Sequence, residues 1–118
     1  MSVVGIGGVF FRANDPKALR EWYAKHLGVV VDFASPWIQQ PGPTLFMPFS
    51  QSSDKFPAEK QWMINFRVTE LEALIATLRD AGITVTTNPE WDTPETGKFA
   101  SLLDPEGNAV ELWEPPDE

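Results

Sequence analysis

The feature that most constrains this chain is that its second half repeats its first. Phe11-Arg12 recurs as Phe66-Arg67 and Ala18-Leu19 as Ala73-Leu74, both at an offset of 55 residues. Gly28, followed by Val29 and Val31, recurs at an offset of 54 as Gly82, followed by Ile83 and Val85. The matches keep their order, and both copies share one local grammar. Residues 9–13 and 63–68 are apolar and rich in β-formers, which predicts strands. A helix signal follows each. Asp15-Pro16 supplies an N-cap and a proline at the first helical position. Thr69-Glu70-Leu71-Glu72 spells a capping box, in which the Thr hydroxyl accepts from the Glu72 amide and Glu72 reaches back. Leu19, Trp22, Tyr23 and Leu27 keep helical spacing, as do Leu71, Leu74, Ile75 and Leu78. Gly28 and Gly82 end the two helices, because glycine takes the left-handed conformation after a helix without strain. Residues 29–31 and 83–85 then predict further strands.

Each copy closes with two more strands. Residues 37–40 and 44–49 flank the turn Pro41-Gly42-Pro43, and residues 99–103 and 109–113 flank Asp104-Pro105-Glu106-Gly107-Asn108. Each half therefore reads β-α-β-β-β. The first module takes about residues 1–50 and the second about 61–114, with polar, Pro57-bearing residues 51–60 as the linker between them. Residues 88–96 read as a long loop, and residues 114–118 as an acidic, proline-rich tail. At 118 residues the whole is one domain.

Strand side chains alternate between faces. Ile64, Phe66 and Val68 share one apolar face, expected to pack under a helix, as do Val9 and Phe11 in the first copy. Gly8, Phe10 and Arg12 share the opposite, mixed face, matched by Met63, Asn65 and Arg67. On the last strand Val110 and Leu112 belong under the helices, so Glu111 and Trp113 fall on the mixed side. If Leu103 pairs with Ala109, Phe99 and Ser101 join them.

Composition narrows what that mixed face can meet. Nine basic against seventeen acidic side chains give net −8, which repels nucleic acid and anionic membrane. No apolar run approaches the ~18 residues of a membrane span. The first residues carry no basic segment and are broken by Gly5, Gly7 and Gly8, so the expected location is the cytoplasm. The absence of cysteine excludes disulfides and thiolate chemistry, and a lone histidine excludes a two-His metal site within one chain. That histidine, His26, sits late on the first helix, where a cation suits the helix C-terminus.

The doubled module, Trp22-Tyr23 with Leu27-Gly28, and above all the run Asp104-Pro105-Glu106-Gly107-Asn108-Ala109-Val110-Glu111-Leu112 resemble the vicinal oxygen chelate superfamily of glyoxalases, bleomycin-resistance proteins and ring-cleaving dioxygenases. The resemblance implies an α+β fold in which two tandem βαβββ modules form curved mixed sheets around a cavity, often across a dimer. It also implies that catalytic members hold a divalent metal on inward-projecting side chains. Glu111 falls on the last ligand position of the family. The ligand positions on the first strand of each module fall on Gly8 and Met63. No carboxylate lies between Asp32 and Asp54, and Gln39 and Gln40 are poor substitutes. One carboxylate is too few for a hard cation, so no metal and no other cofactor is expected.

Three readings follow. In the first, the protein binds a small aromatic or apolar organic molecule in a homodimer, without a complete metal site. Phe10, Arg12, Met63, Asn65, Arg67, Phe99, Ser101 and Trp113 would line the cavity around Glu111. Glu111 would be a lone carboxylate able to act as a general base or to grip a cation; its structural alternative is an ion pair with Arg12, Arg67 or Lys98. Arg12 and Arg67 could bind an anion, or serve as rim residues balancing Glu111. Trp37, Trp62, Trp91 and Trp113 suit either a pocket wall or a dimer interface. In the second reading the chain is a metal-dependent lyase, isomerase or dioxygenase, with Glu111 as one ligand and the others from a partner chain or water. In the third it only dimerises, its cavity filled by Phe10, Phe99 and Trp113.

Overall fold

The alternation of side chains in the second half builds the sheet. The computed structural model describes residues 2–30 and 34–117. Three strands, β1 (Ile64–Arg67), β2 (Lys98–Leu103) and β3 (Ala109–Glu114), lie in the order β1-β3-β2. β1 runs parallel to β3 and β2 antiparallel to it. Leu103 faces Ala109 across the β2–β3 hairpin, the register expected from the sequence. That register sets Ile64, Val110 and Leu102 in one row and Phe66, Leu112 and Ala100 in a second row of the same face. Ala100, Val110 and Leu112 are wholly buried there. Thr86 extends the sheet by a single bridge to Ser101.

Two helices cover this face, α1 (Pro16–Leu27) and α2 (Leu71–Asp80). Leu19 and Tyr23 of α1 and Leu71, Ile75 and Leu78 of α2 share one core with Val85 and the strand residues. α1 begins and ends as expected. Asp15 Oδ1 accepts from the Ala18 amide at 3.1 Å, and Gly28 closes the helix at φ 69°, ψ 17°. The start of α2 departs from the predicted capping box. Glu70 occupies the cap in a left-handed conformation and makes no side-chain cap bond. The Leu71 amide donates instead to Glu114 Oε1 at 2.8 Å, while Glu72 pairs with Lys98 at 3.6 Å. β3 ends beside the start of α2, and a carboxylate there is a stronger acceptor for helix amides than the Thr69 hydroxyl.

The first half differs from expectation. No strand forms over residues 9–13, 37–40 or 44–49, and Val31 of the expected strand 29–31 lies outside the described residues. Every described residue from 2 to 12 and from 34 to 52 is exposed. Val9 and Phe11, expected under a helix, are 49% and 55% exposed. The helix they would pack against is held on the second half's sheet. The Tyr23 hydroxyl donates to buried Asp104 Oδ2 at 2.6 Å. The amides of Asn14 and Asp15 donate to the two carboxylate oxygens of Glu106 at 2.8 and 2.9 Å. Both acceptors belong to the β2–β3 turn. Asp104 Oδ1 also accepts from the amides of Glu106 and Asn108, and its Oδ2 from Asn108 Nδ2. Gly107, at φ 81°, allows the turn to close.

Burial, reinforced by the bond to Asp104, raises the Tyr23 hydroxyl above the ordinary phenol value, which favours the protonated, donating form. Tyr23→Phe leaves an Asp104 lone pair unmatched in the core and should cost about 1–3 kcal/mol in chemical denaturation. The Glu106 carboxylate is held below the ordinary glutamate value, chiefly by the Asn14 amide and then by that of Asp15. Its contribution is complete above the ordinary value of about 4.3 and is lost as pH falls through the depressed one. Glu106→Gln should therefore flatten the acid-side decline of the urea midpoint; a decline as steep as the wild type's would show that the clamp adds nothing.

Candidate functional site

The opposite face of the same strands carries the polar groups. Asn65, Glu111 and Ser101 form one row across it, and Arg67, Trp113 and Phe99 the next. A cleft of about 560 Å³ opens over this face, within the size range of small-ligand pockets. Met63, Phe99, Ser101 and Glu111 line it from the sheet side; Asp54 and Lys55 line it from the segment between the two halves, and Trp91 and Thr96 from the loop before β2.

Local chemistry fixes that loop. Asn88 caps a short 3-10 helix, Pro89–Trp91, accepting from the Glu90 amide at 3.0 Å. Asp92 Oδ1 accepts from the Phe99 amide at 3.0 Å. Thr93 and Gly97 exchange backbone bonds of 3.1 and 2.8 Å. Gly97 sits at φ 99°, and a Cβ there would run into the carbonyl of Glu114. The Trp113 indole donates to the Thr96 carbonyl at 2.7 Å and stacks on Phe99 with ring centroids 6.2 Å apart and planes 7° from parallel. Lys55 Nζ stands 5.4 Å over the Trp91 ring, a cation–π contact joining the two walls.

Glu111 is half-buried in this cleft. Its Oε1 accepts from Asn65 Nδ2 at 2.7 Å, and its other oxygen has no hydrogen-bond partner among the described residues. The expected ion pair with Arg12, Arg67 or Lys98 does not form. Lys98 lies three register positions away on the helix-covered face, with Glu72. Arg67 donates to the Gln40 carbonyl at 3.0 Å, and Arg12 stays on the exposed first stretch. The carboxylate's neighbour is a neutral amide, which orients it without cancelling its charge.

Of the residues expected to form a site, Met63, Phe99, Ser101 and Glu111 share the cleft, Asn65 holds Glu111, and Trp113 supports Phe99. Arg67 turns towards Gln40. Phe10 is 86% exposed, and neither it nor Arg12 reaches the cleft. A cavity plugged by Phe10, Phe99 and Trp113 is not what forms, since the Phe99–Trp113 stack leaves the space beside it open. Asp54, Lys55 and Thr96 were not legible as site residues, because linker and loop residues carry no periodicity to say which way they fold. Trp91 had only its aromatic character to mark it.

The donor set does not fit a divalent cation. The ligand positions implied by the resemblance carry Gly8 and Met63, and Glu111 is flanked in its row by an amide and a hydroxyl. Among the described residues no three His, Asp or Glu side chains converge.

The sequence pattern of the glyoxalase-like domain matches residues 8–113. No curated protein matches the chain. Among solved structures, the crystal structure of TnmS3, an antibiotic binding protein from Streptomyces sp. CB03234, is similar with a TM-score of 0.64 at 21% sequence identity, covering 98% of each chain. That likeness extends the fold over the whole length.

Gly97→Ala should cost about 1–3 kcal/mol from the positive φ alone, and more from the clash with Glu114. Because Thr96 holds the Trp113 indole, the variant should also shift tryptophan emission; unchanged stability and emission would show that the loop tolerates a different path.

Proposed function

We propose that this chain, which belongs to the glyoxalase-like domain family, is a small-molecule-binding protein, working in the cytoplasm as a homodimer of doubled βαβββ modules and without a metal. The ligand is a flat aromatic molecule that carries a cationic or strongly hydrogen-bond-donating nitrogen. The observation that carries this reading is Glu111: a carboxylate on the floor of an aromatic-walled cleft, oriented by Asn65 and paired with no basic side chain among the described residues. Such a group is a poor structural element and a good acceptor, since a hydrogen bond to a charged partner in a partly dry site is worth about 1.5–3 kcal/mol.

The rest of the lining supports the same chemistry. Trp91 and Phe99 offer ring faces to a planar ligand. Asp54 and Glu111 outnumber Lys55, so the cleft shares the net acidic character of the chain. TnmS3 is an antibiotic binding protein, and a binding role for this chain agrees with a lining that lacks the ligand set of a metal enzyme.

Titration with a cationic aromatic dye should quench intrinsic tryptophan fluorescence saturably and with no effect of added chelator. Glu111→Gln should weaken that dye about tenfold, which is about 1.4 kcal/mol, while leaving a neutral dye of the same shape unchanged. Equal losses for both dyes would remove Glu111 from recognition, and quenching that required a divalent metal would overturn the metal-free reading.

A further inference from the structure

We propose that the Lys55 ammonium is a resident cation that sets the selectivity of the cleft: it occupies the ring face of Trp91, and a ligand gains that face only by displacing it. The inference rests on the reading of the cleft as a site for flat aromatic cations, and it identifies what such a ligand must exchange with.

The two partners are held very differently. Trp91 belongs to the fixed loop. Its amide donates to the Asn88 carbonyl at 2.9 Å, and its side chain is half-buried in the cleft wall. Lys55 is exposed and stands on a segment bonded mainly to itself. From Ser50 to Ala58, every hydrogen bond among the described residues ends within residues 50–60. Phe56 packs on Phe49, which is itself 47% exposed. Across the cleft, the contact that joins this segment to the loop is Lys55 Nζ over the Trp91 ring, at 5.4 Å. Among the described residues the one ion pair is Lys98 with Glu72, so no carboxylate holds Lys55 in place.

That contact is suited to exchange. An ammonium over an exposed ring is favoured only about two- to fivefold. Two cations cannot share one ring face, because like charges at that separation repel. An entering alkylammonium would break one ammonium–ring contact to make another, with no net gain at the ring. A planar aromatic cation replaces the contact and adds stacking area that a narrow lysine stem does not cover. Lys55 thus opposes every occupant of the Trp91 face, and a flat one recovers more than it displaces. Competing elements of this kind contribute to specificity as attractive contacts do. The displaced side chain also has room to move. A neighbouring space of about 560 Å³, lined by residues 51–58 with Leu103 and Ala109, shares Asp54, Lys55 and Ser101 with the cleft. Lys55 stands where the two spaces meet, so a change of rotamer carries its ammonium out of the cleft.

Titrations of paired variants with the cationic dye test this. Lys55→Met keeps the stem, removes the charge and should tighten the dye about two- to fivefold. In a Trp91→Leu background the same change should give no gain. Lys17→Met, on the exposed side of α1, alters net charge equally and should leave affinity unchanged. A gain that persists without Trp91, or a loss of affinity on Lys55→Met, would overturn the proposal. Should Trp91→Leu fail to fold, NMR of the reductively methylated wild type decides, since methylation preserves the lysine charge. The Lys55 methyl signal, identified by its absence from Lys55→Met, should lie upfield under the Trp91 ring current and move to the ordinary lysine position as dye saturates. A signal that stays upfield at saturation would rule out exchange. A dye that neither the wild type nor Lys55→Met binds removes the binding reading and this proposal with it, whereas equal binding by both removes the proposal alone.

Discussion

The carboxylate of Asp104 organises this molecule. Four donors converge on it: the Tyr23 hydroxyl, the amides of Glu106 and Asn108, and the Asn108 side chain. A buried carboxylate is tolerated only when its lone pairs are filled, and here the filling ties the β2–β3 turn to a helix residue 81 positions earlier in sequence. The consequence reaches well beyond the turn. α1 belongs by sequence to the first repeat, yet its apolar side joins the second repeat's core. The apolar stretches that flank α1 in sequence are thereby left without a helix to cover them, and their side chains face water within a single chain.

One alternation then separates stability from chemistry. Val110 and Leu112 point to the helices, whereas Glu111 and Trp113, between and after them, point to the opposite face, where Glu111 lines the cleft. The core can be packed without touching the site, and the site can be polar without a polar group entering the core. This separation was legible in the sequence because period-two patterning is a local property. So were the Asp15 and Gly28 caps, the hairpin register and the grouping of Met63, Phe99, Ser101 and Glu111.

What was not legible depends on partners distant in sequence. The Thr69–Glu72 capping box is a valid local signal, but Glu114 arrives at the start of the same helix through the fold and displaces it. Residues 9–13 and 44–49 have strand composition, yet composition reports the residues' fit to a pleated surface, not which chain supplies the neighbouring strand. Asp54 and Lys55 were placed in a linker because their role comes from where the linker folds back.

Glu111 shows how a site can be recognised where local rules conflict. The other carboxylates that the fold draws in each stabilise something: Asp104 holds the turn, Glu106 the start of α1, Glu114 the start of α2. Each is satisfied by donors that the fold itself places. Glu111 has one neutral donor among the described residues, Asn65, and shares its cleft with Trp91 and Phe99. On the reading proposed above, Glu111, which is bonded in its own fold only by Asn65 among the described residues, is the group that accepts from a ligand outside the chain.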